Sequence, residues 1–233
     1  MTGPELAALI EGRLIVSCQA GPASALRDST TIARMARAAV AGGAAAVRGG
    51  GVGGIPDIKA IASAVSVPII GLTKHGTRGV YITPTVEDAL KVLAAGATVV
   101  AADATSRPRP DGCTFADIVS AVHDAGGLVM ADCAALADGI AAHNNGADLV
   151  ATTLAGYLPD SPLAEGPDLE LVKALRAALP EAVIVAEGRY HHPRQAAAAI
   201  QAGATTVVVG TAITDPEWIT ATFVQRIQSG PPC

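Results

Sequence analysis

Eight short apolar runs recur along this chain with helix-forming stretches between them, and that alternation limits the possible folds more than any other feature. The runs occupy residues 14–18, 44–47, 67–72, 98–102, 127–131, 147–151, 182–186 and 205–209. Polar and apolar residues alternate poorly within them, as in parallel strands buried on both faces. Ala-rich segments such as 30–40, 57–65, 86–94 and 115–125 have helical spacing and fall between the runs. Four helix-to-strand joints repeat almost the same letters: GGAA from Gly42, AGAT from Ala95, NGAD from Asn145 and AGAT from Ala202. In each, a glycine accommodates the left-handed turn that ends a helix. Eight such units joined by right-handed crossovers close into a (β/α)8 TIM barrel more readily than they open into a sheet. An open doubly wound sheet is the alternative. Its dinucleotide-binding form requires GxGxxG after the first strand, where this chain has Cys18-Gln19-Ala20-Gly21-Pro22. The triple glycine at 49–51 reads as a loop.

A length of 233 residues is the usual size of one such barrel, so residues 1–233 are expected to form a single domain. Hydrophobic residues make up 50% and charged residues 16%, enough apolar surface for a core without staples. Aromatic residues are only 3%, too few for base-stacking platforms, and the net charge is −5 with no run of Lys or Arg. Neither a nucleic-acid partner nor an anionic membrane surface is expected. Cys18, Cys113, Cys133 and Cys233 show no CxxC spacing and read as reduced thiols, with no metal site. There is no uninterrupted apolar stretch of about 20 residues, and no basic segment leads into an apolar run at the N-terminus, so a cytoplasmic protein is expected.

Active sites of such barrels lie at the carboxyl ends of the strands, which makes the polar residues following each apolar run the candidates. They are Gln19, Arg48, Lys74, Asp103, Asp132, Thr152 with Thr153, and Glu187. Strands three and seven lie opposite each other in a ring of eight, so Lys74 and Glu187 flank one small substrate. A lysine facing a carboxylate suits proton removal beside a carbonyl, one group moving the carbon-bound proton and the other the oxygen-bound proton. Burial and nearby cations would lower the lysine pKa, whereas Glu187 would raise it. A structural ion pair at the rim and a Schiff-base lysine are the alternatives. Gly188 after strand seven, and Gly210 with Thr211 after strand eight, sit where backbone amides of such barrels often hold phosphate.

Several residues have plainer readings. His123 and His143 fall within helical stretches as surface or packing residues, and His191 and His192 precede the helix start at Pro193 without a metal geometry. Cys18 and Cys133 are expected to be small buried side chains, and Trp218 and Phe223 to pack the last helix down.

Taken together, the words LIVSCQA, VRGGG, VPIIGLTK, VYITPT, DATSRPRPDG, MADC, TTLAGY, EGPDLELVK, AEGR and VVVGTAIT resemble, in order and spacing, the bacterial N-acylmannosamine-6-phosphate 2-epimerase family over nearly the whole chain. The resemblance implies conversion of N-acetylmannosamine 6-phosphate to N-acetylglucosamine 6-phosphate without metal or nucleotide cofactor, and a homodimer. It implies catalytic roles for Lys74 and Glu187. It places Gln19, Arg48 and Asp132 against the sugar and the backbone of Gly188 and Gly210 against the phosphate. The chain departs from the family pattern in three places. Thr214-Asp215-Pro216 stands where the family carries Arg-Pro, an anion for a phosphate-binding cation that Arg189 or Arg78 would have to replace. VRGGGVGGIPDI is richer in glycine and is expected to form a mobile loop, and the stretch from Lys74 to YITPT is short. An isomerase is the leading class, another phosphate-binding barrel enzyme such as an aldolase the second, and an inactive sugar-phosphate sensor the third.

Overall fold

The structure, a computed structural model, describes residues 1–158, 161 and 165–229. Cys233 lies outside them. In chain order the elements are α1 (Gly3–Ile10), β1 (Leu14–Cys18), α2 (Ser29–Ala41), β2 (Ala46–Gly51), α3 (Gly54–Ala62), β3 (Ile69–Thr73), α4 (Val86–Ala94), β4 (Val99–Asp103) and α5 (Phe115–Asp124). They continue with β5 (Leu128–Asp132), α6 (Leu136–Asn144), β6 (Leu149–Ala151), α7 (Leu169–Ala178), β7 (Val183–Glu187), α8 (Pro193–Gln201), β8 (Thr206–Val209), α9 (Thr211–Thr214) and α10 (Pro216–Gln228). The eight strands form one closed barrel in sequence order, all parallel, with β8 paired back onto β1.

The expected barrel is therefore present, and its helices start and stop for local reasons. Asp28, Thr85, Thr114 and Asp168 each accept a first-turn backbone N–H as N-caps. At the four repeated joints, Gly43, Gly96, Gly146 and Gly203 take φ between 91° and 106°, the left-handed turn that the repeated letters require.

Side-chain parity along the strands builds two cores. Ile15, Ala46, Ile70, Leu72, Val99, Ala101, Leu128, Met130, Leu149, Ala151, Val185 and Val208 share one cluster inside the barrel, which Leu6 and Ile10 of α1 join. The alternate residues Val16, Cys18, Val47, Val100, Val129, Ala131, Val150, Ile184, Ala186 and Val207 pack outward into a second cluster with the helices. Because strand side chains alternate with period two, the inward series continues upward to Ser17 and Gln19, Arg48, Lys74, Asp103, Asp132, Thr153, Glu187 and Gly210. Every candidate from the strand ends lies on this inward series except Thr152.

The second strand corrects the sequence reading. Arg48 does not end it, and the triple glycine is no loop: Gly49, Gly50 and Gly51 lie within β2, in register with Gly71, Leu72 and Thr73 of β3. Nor does a mobile loop follow, since α3 begins at Gly54. The glycines are needed for close approach. A Cβ on Gly50, whose φ is +102°, would lie 2.1 Å from the Leu72 carbonyl oxygen, and one on Gly49 would lie 2.3 Å from Ile61 Cδ1. The last helix is a second correction. Phe223 does not pack α10 down; it is 67% exposed, and no residue of α10 is buried. Trp218 instead lies against His191, ring centroids 4.5 Å apart.

Candidate active site

A cleft of about 290 Å³ opens at the carboxyl ends of the strands. Gln19, Lys74, Glu187 and Arg189 line it together with Gly188, Gly210 and Thr211. Arg48 and Asp132 lie beneath, 1% and 0% exposed.

That floor is a buried charge cluster. Arg48 projects from β2 and donates to Asp132 of β5 through both ends of its guanidinium, Nη1 to Oδ1 at 3.0 Å and Nη2 to Oδ2 at 2.6 Å. Its Nη1 also pairs closely with Glu187 Oε2 at the end of β7. Thr153, two residues past β6, reaches Asp132 Oδ1 at 2.6 Å and Glu187 Oε2 at 3.1 Å. Burial acts to depress the Arg48 pKa, but Asp132 and Glu187 outweigh it and hold the guanidinium charged. With two carboxylates against one guanidinium, the cluster carries an excess of negative charge where burial disfavours charge. Glu187 responds: burial pushes its pKa up and Asp132 adds to the rise, against the pull of Arg48.

Lys74 follows β3 on the base of a short antiparallel excursion, bridged to Ile82. Its amide donates to Gly51 O at 2.9 Å, and His75 N–H to Tyr81 O at 2.9 Å. The side chain is open to the cleft, and among the described residues its ammonium makes no ion pair. Crowding by the barrel wall still removes part of its hydration, so its pKa is lowered. Arg48 adds to the fall, and Glu187 and Asp132 oppose it without prevailing. The competition left open by the sequence is thus decided by burial and by Arg48. A lysine pulled toward neutrality faces a carboxyl pushed toward its acid form, the pairing that general acid–base chemistry requires.

Other expected residues are placed as follows. Gln19 lines the cleft and donates to Ser17 Oγ at 2.9 Å. Arg189, with φ of 60°, donates to Ala155 O at 2.5 Å and Gly166 O at 2.7 Å and lies over the Tyr157 ring. It ties the β6 and β7 loops together while bordering the cleft, whereas Arg78 is not among the lining residues. Asp103 is directed into its own loop, bonded to Thr105 at 2.7 Å and Arg107 at 2.5 Å. Asp215 lines the cleft and also caps α10, accepting the Trp218 N–H at 3.1 Å. Burial pushes the Cys18 thiol up to about 12 and that of Cys133 well above its ordinary value, leaving both as inert packing residues. His123 pairs with Asp148 at 2.9 Å on the outside. Among the described residues no cluster of three His, Cys, Asp or Glu side chains could hold a metal ion, and no helix is long and apolar enough to cross a membrane.

The sequence reading did not single out Ser17, Tyr81, Tyr157, Tyr190 or Thr214, which all line the cleft. Strand parity would have found Ser17, two positions before Gln19. Tyr81 and Tyr157 come from loops, and no periodic signal marks them.

Fold and site together define a class: a (β/α)8 barrel enzyme with a lysine and a buried carboxyl opposed across its mouth. Over residues 32–229 the sequence matches the family described as "Putative N-acetylmannosamine-6-phosphate epimerase", and the chain belongs to that family. A Corynebacterium glutamicum protein named "Putative N-acetylmannosamine-6-phosphate 2-epimerase" is 49% identical over 223 residues, 96% of each chain. A Cutibacterium acnes protein of the same name is 47% identical over 93% of this chain and 94% of its own. The solved structure of the N-acetylmannosamine-6-phosphate 2-epimerase from Clostridium perfringens matches with a TM-score of 0.89 at 39% identity, covering 94% of this chain and 95% of that one.

Proposed function

We propose that this chain interconverts N-acylmannosamine 6-phosphate and N-acylglucosamine 6-phosphate by removing and returning the C2 proton of the ring-opened sugar. The observation that carries this reading is the placement of Lys74, after β3, and Glu187, at the end of β7, on one cleft above the Arg48 and Asp132 pair; the lowered pKa of Lys74 and the raised pKa of Glu187 agree with it in direction. In the open-chain sugar the C1 aldehyde makes C2–H acidic. Neutral Lys74 takes that proton while protonated Glu187 gives one to the C1 oxygen, forming the enol. Once the enol has turned its other face to the Lys74 ammonium, that group returns a proton to C2 as Glu187 takes back the proton of the C1 hydroxyl, so both side chains end in their starting states. Arg48, charged beneath the cleft, favours the negative charge that develops. Gln19, Asp132 and Arg189 are assigned to holding the sugar. Asp132 acts by fixing Arg48.

The phosphate is assigned to Gly188, Gly210 and Thr211. In α9 the Ile213 and Thr214 amides donate to Gly210 O at 2.8 and 3.0 Å, which leaves those of Thr211 and Ala212 for a ligand, and glycine at 188 and 210 lets a ligand approach the backbone. Asp215 sits at this end of the cleft as an anion. Asp215→Asn keeps the cap, since asparagine caps as well as aspartate, and removes the charge. The expected result is a KM for the phosphorylated sugar about two- to fivefold lower at unchanged kcat, as removal of one partly screened repulsion would give. Steady-state kinetics at constant ionic strength measures it.

Proton NMR in deuterated water tests the function. The purified protein with N-acetylmannosamine 6-phosphate should yield C2-deuterated N-acetylglucosamine 6-phosphate, and the unphosphorylated sugar should not react. Exchange with neither sugar would overturn the reading. Borohydride trapping of a lysine adduct with substrate would replace it with Schiff-base chemistry.

The chain is further assigned to a homodimer in the cytoplasm. Phe223, Val224 and Ile227 expose apolar surface on α10, at 67%, 44% and 78%, and contiguous apolar patches of this kind mark association sites. Light scattering should give twice the monomer mass of 23.1 kDa, and Phe223→Asp should return the monomer mass.

A further inference from the structure

Between the carboxyl ends of β3 and β4 the barrel wall parts, and residues 81–83 fill the gap. The two strands pair directly only at Ile70 with Val99 and at Gly71 with Val100. Above that, the chain returning from the excursion after Lys74 is bonded to both. The Thr83 N–H donates to Thr73 O at 3.0 Å, and the Asp103 N–H donates to Ile82 O at 3.1 Å. Thr83 Oγ1 donates to Ala101 O at 2.6 Å and accepts from the Thr73 N–H at 3.2 Å. Thr83 is fully buried with a φ of 42°, a left-handed conformation that a β-branched side chain disfavours. A conformation of that cost persists only where its surroundings fix it, and such residues gather at functional sites.

This inserted segment gives the cleft an apolar side. Ile82 is paired antiparallel with Lys74, and residues directly opposite in such a pair share a face. Ile82 therefore points inward beside Lys74 and joins the inner core. Tyr81 packs against that core while only partly buried, and both residues line the cleft. Leu154 and Tyr157, after β6, extend the apolar surface, and the Arg189 guanidinium lies over the Tyr157 ring at 5.2 Å from its centroid. Across the mouth, the loops after β7 and β8 present Gly188, Gly210, Thr211 and Asp215. In the closed ring β4 stands opposite β8, as β3 does β7, so the apolar and polar sides face each other.

The proposed substrate has matching ends. With its phosphate at the β7 and β8 loops and C2 at Lys74, the sugar spans the mouth. The acyl group is joined to C2 through one nitrogen, so it lies close to the lysine that takes the C2 proton, and the phosphate already occupies the opposite side. What remains beside Lys74 is the wall of Tyr81 and Ile82. We propose that Tyr81 is a specificity-determining residue whose ring closes an apolar subsite for the N-acyl chain, floored by Ile82 and Leu154. The hydrogen bonds of Thr83 to both strands hold that wall in place, so the length of the acyl chain is gauged against a fixed surface.

This inference rests on the epimerase reading, and a substrate series separates the two. The kcat and KM for N-acetyl-, N-propanoyl- and N-butanoylmannosamine 6-phosphate are measured with the unsubstituted protein, Tyr81→Phe and Tyr81→Ala. The unsubstituted protein is expected to favour N-acetyl over N-butanoyl in kcat/KM by about tenfold or more, since a methylene without room in a pocket is worth that much. In Tyr81→Ala the N-acetyl substrate loses about tenfold, chiefly through KM, while the N-butanoyl substrate holds or gains, so the preference falls by about tenfold. Tyr81→Phe keeps the ring and the original preference. A purely structural role would lower all three substrates alike and leave the preference unmoved. If the alanine variant does not fold by circular dichroism, Tyr81→Leu is expected to shift the preference the same way by a smaller factor. An unmoved preference in a folded variant, a phenylalanine variant shifted as far as alanine, or equal turnover of all three by the unsubstituted protein overturns the role of Tyr81 and leaves the epimerase reading intact. No epimerisation of any of the three by the unsubstituted protein overturns both.

Discussion

Lys74→Ala is expected to abolish solvent deuterium incorporation at C2 of the sugar, with turnover reduced about 100- to 10,000-fold, the range contributed by a positioned general base. Loss of exchange is the sharper readout, because it reports proton removal itself and not product release. The fold should survive. The Lys74 side chain opens into the cleft and makes no ion pair among the described residues, while the hydrogen bond from its backbone to Gly51 is indifferent to the side chain. Thermal unfolding should therefore match that of the unsubstituted protein. Retained exchange would move the base to another residue, with Glu187 next to be tested.

Arg48→Met is expected to have the largest effect on stability, a loss of about 3–5 kcal/mol, as when one member of a buried ion pair is removed. The methionine fills much of the space but leaves Asp132 and Glu187 beside each other without the guanidinium that binds both. The loss should depend on pH with a definite sign. Without Arg48, the folded-state pKa of Glu187, already raised, rises further above its unfolded value. A carboxyl shifted that way destabilises the fold: stability begins to be lost as pH rises through its unfolded pKa, where the unfolded chain releases a proton the native state retains, and the loss is complete above its folded pKa. Lowering the pH toward the unfolded value removes the penalty. Urea unfolding should accordingly show a larger deficit at pH 8 than at pH 5. A deficit that does not change with pH would mean that lost packing, and not unpaired charge, is responsible.

Family membership was legible in the linear order of motif words, and the placement of Lys74 and Glu187 on one cleft was legible from barrel geometry alone. Positions four apart in a ring of eight must face each other, whatever the details of packing. The errors are equally physical. Arg48 and the glycines after it were assigned to a strand end and a loop, because glycine usually weakens strands. Here β2 runs so close to β3, to Ile61 of α3 and to Gln19 that no side chain fits, which depends on neighbours distant in sequence. Thr153 was noticed as a strand-end residue without a role. Counting inward positions from Leu149 through Ala151 would have placed it in the cleft, but not its distances to Asp132 and Glu187. Phe223 was assigned to packing because an aromatic on a terminal helix usually has a core beneath it, and among the described residues it is 67% exposed.

The sequence by itself determined the alternation of elements, the closure into a barrel, and the ring of polar residues at its mouth. Those properties follow from local signals: apolar runs, caps, glycine joints and strand parity. Only the tertiary structure decided which charges touch. Arg48, Asp132, Thr153 and Glu187 come from four different strands or strand ends, and their pairing sets the direction in which each proton affinity moves. Burial and Coulomb forces act through space and not along the chain, so the proton affinities of Lys74 and Glu187 depend on contacts that no local pattern encodes.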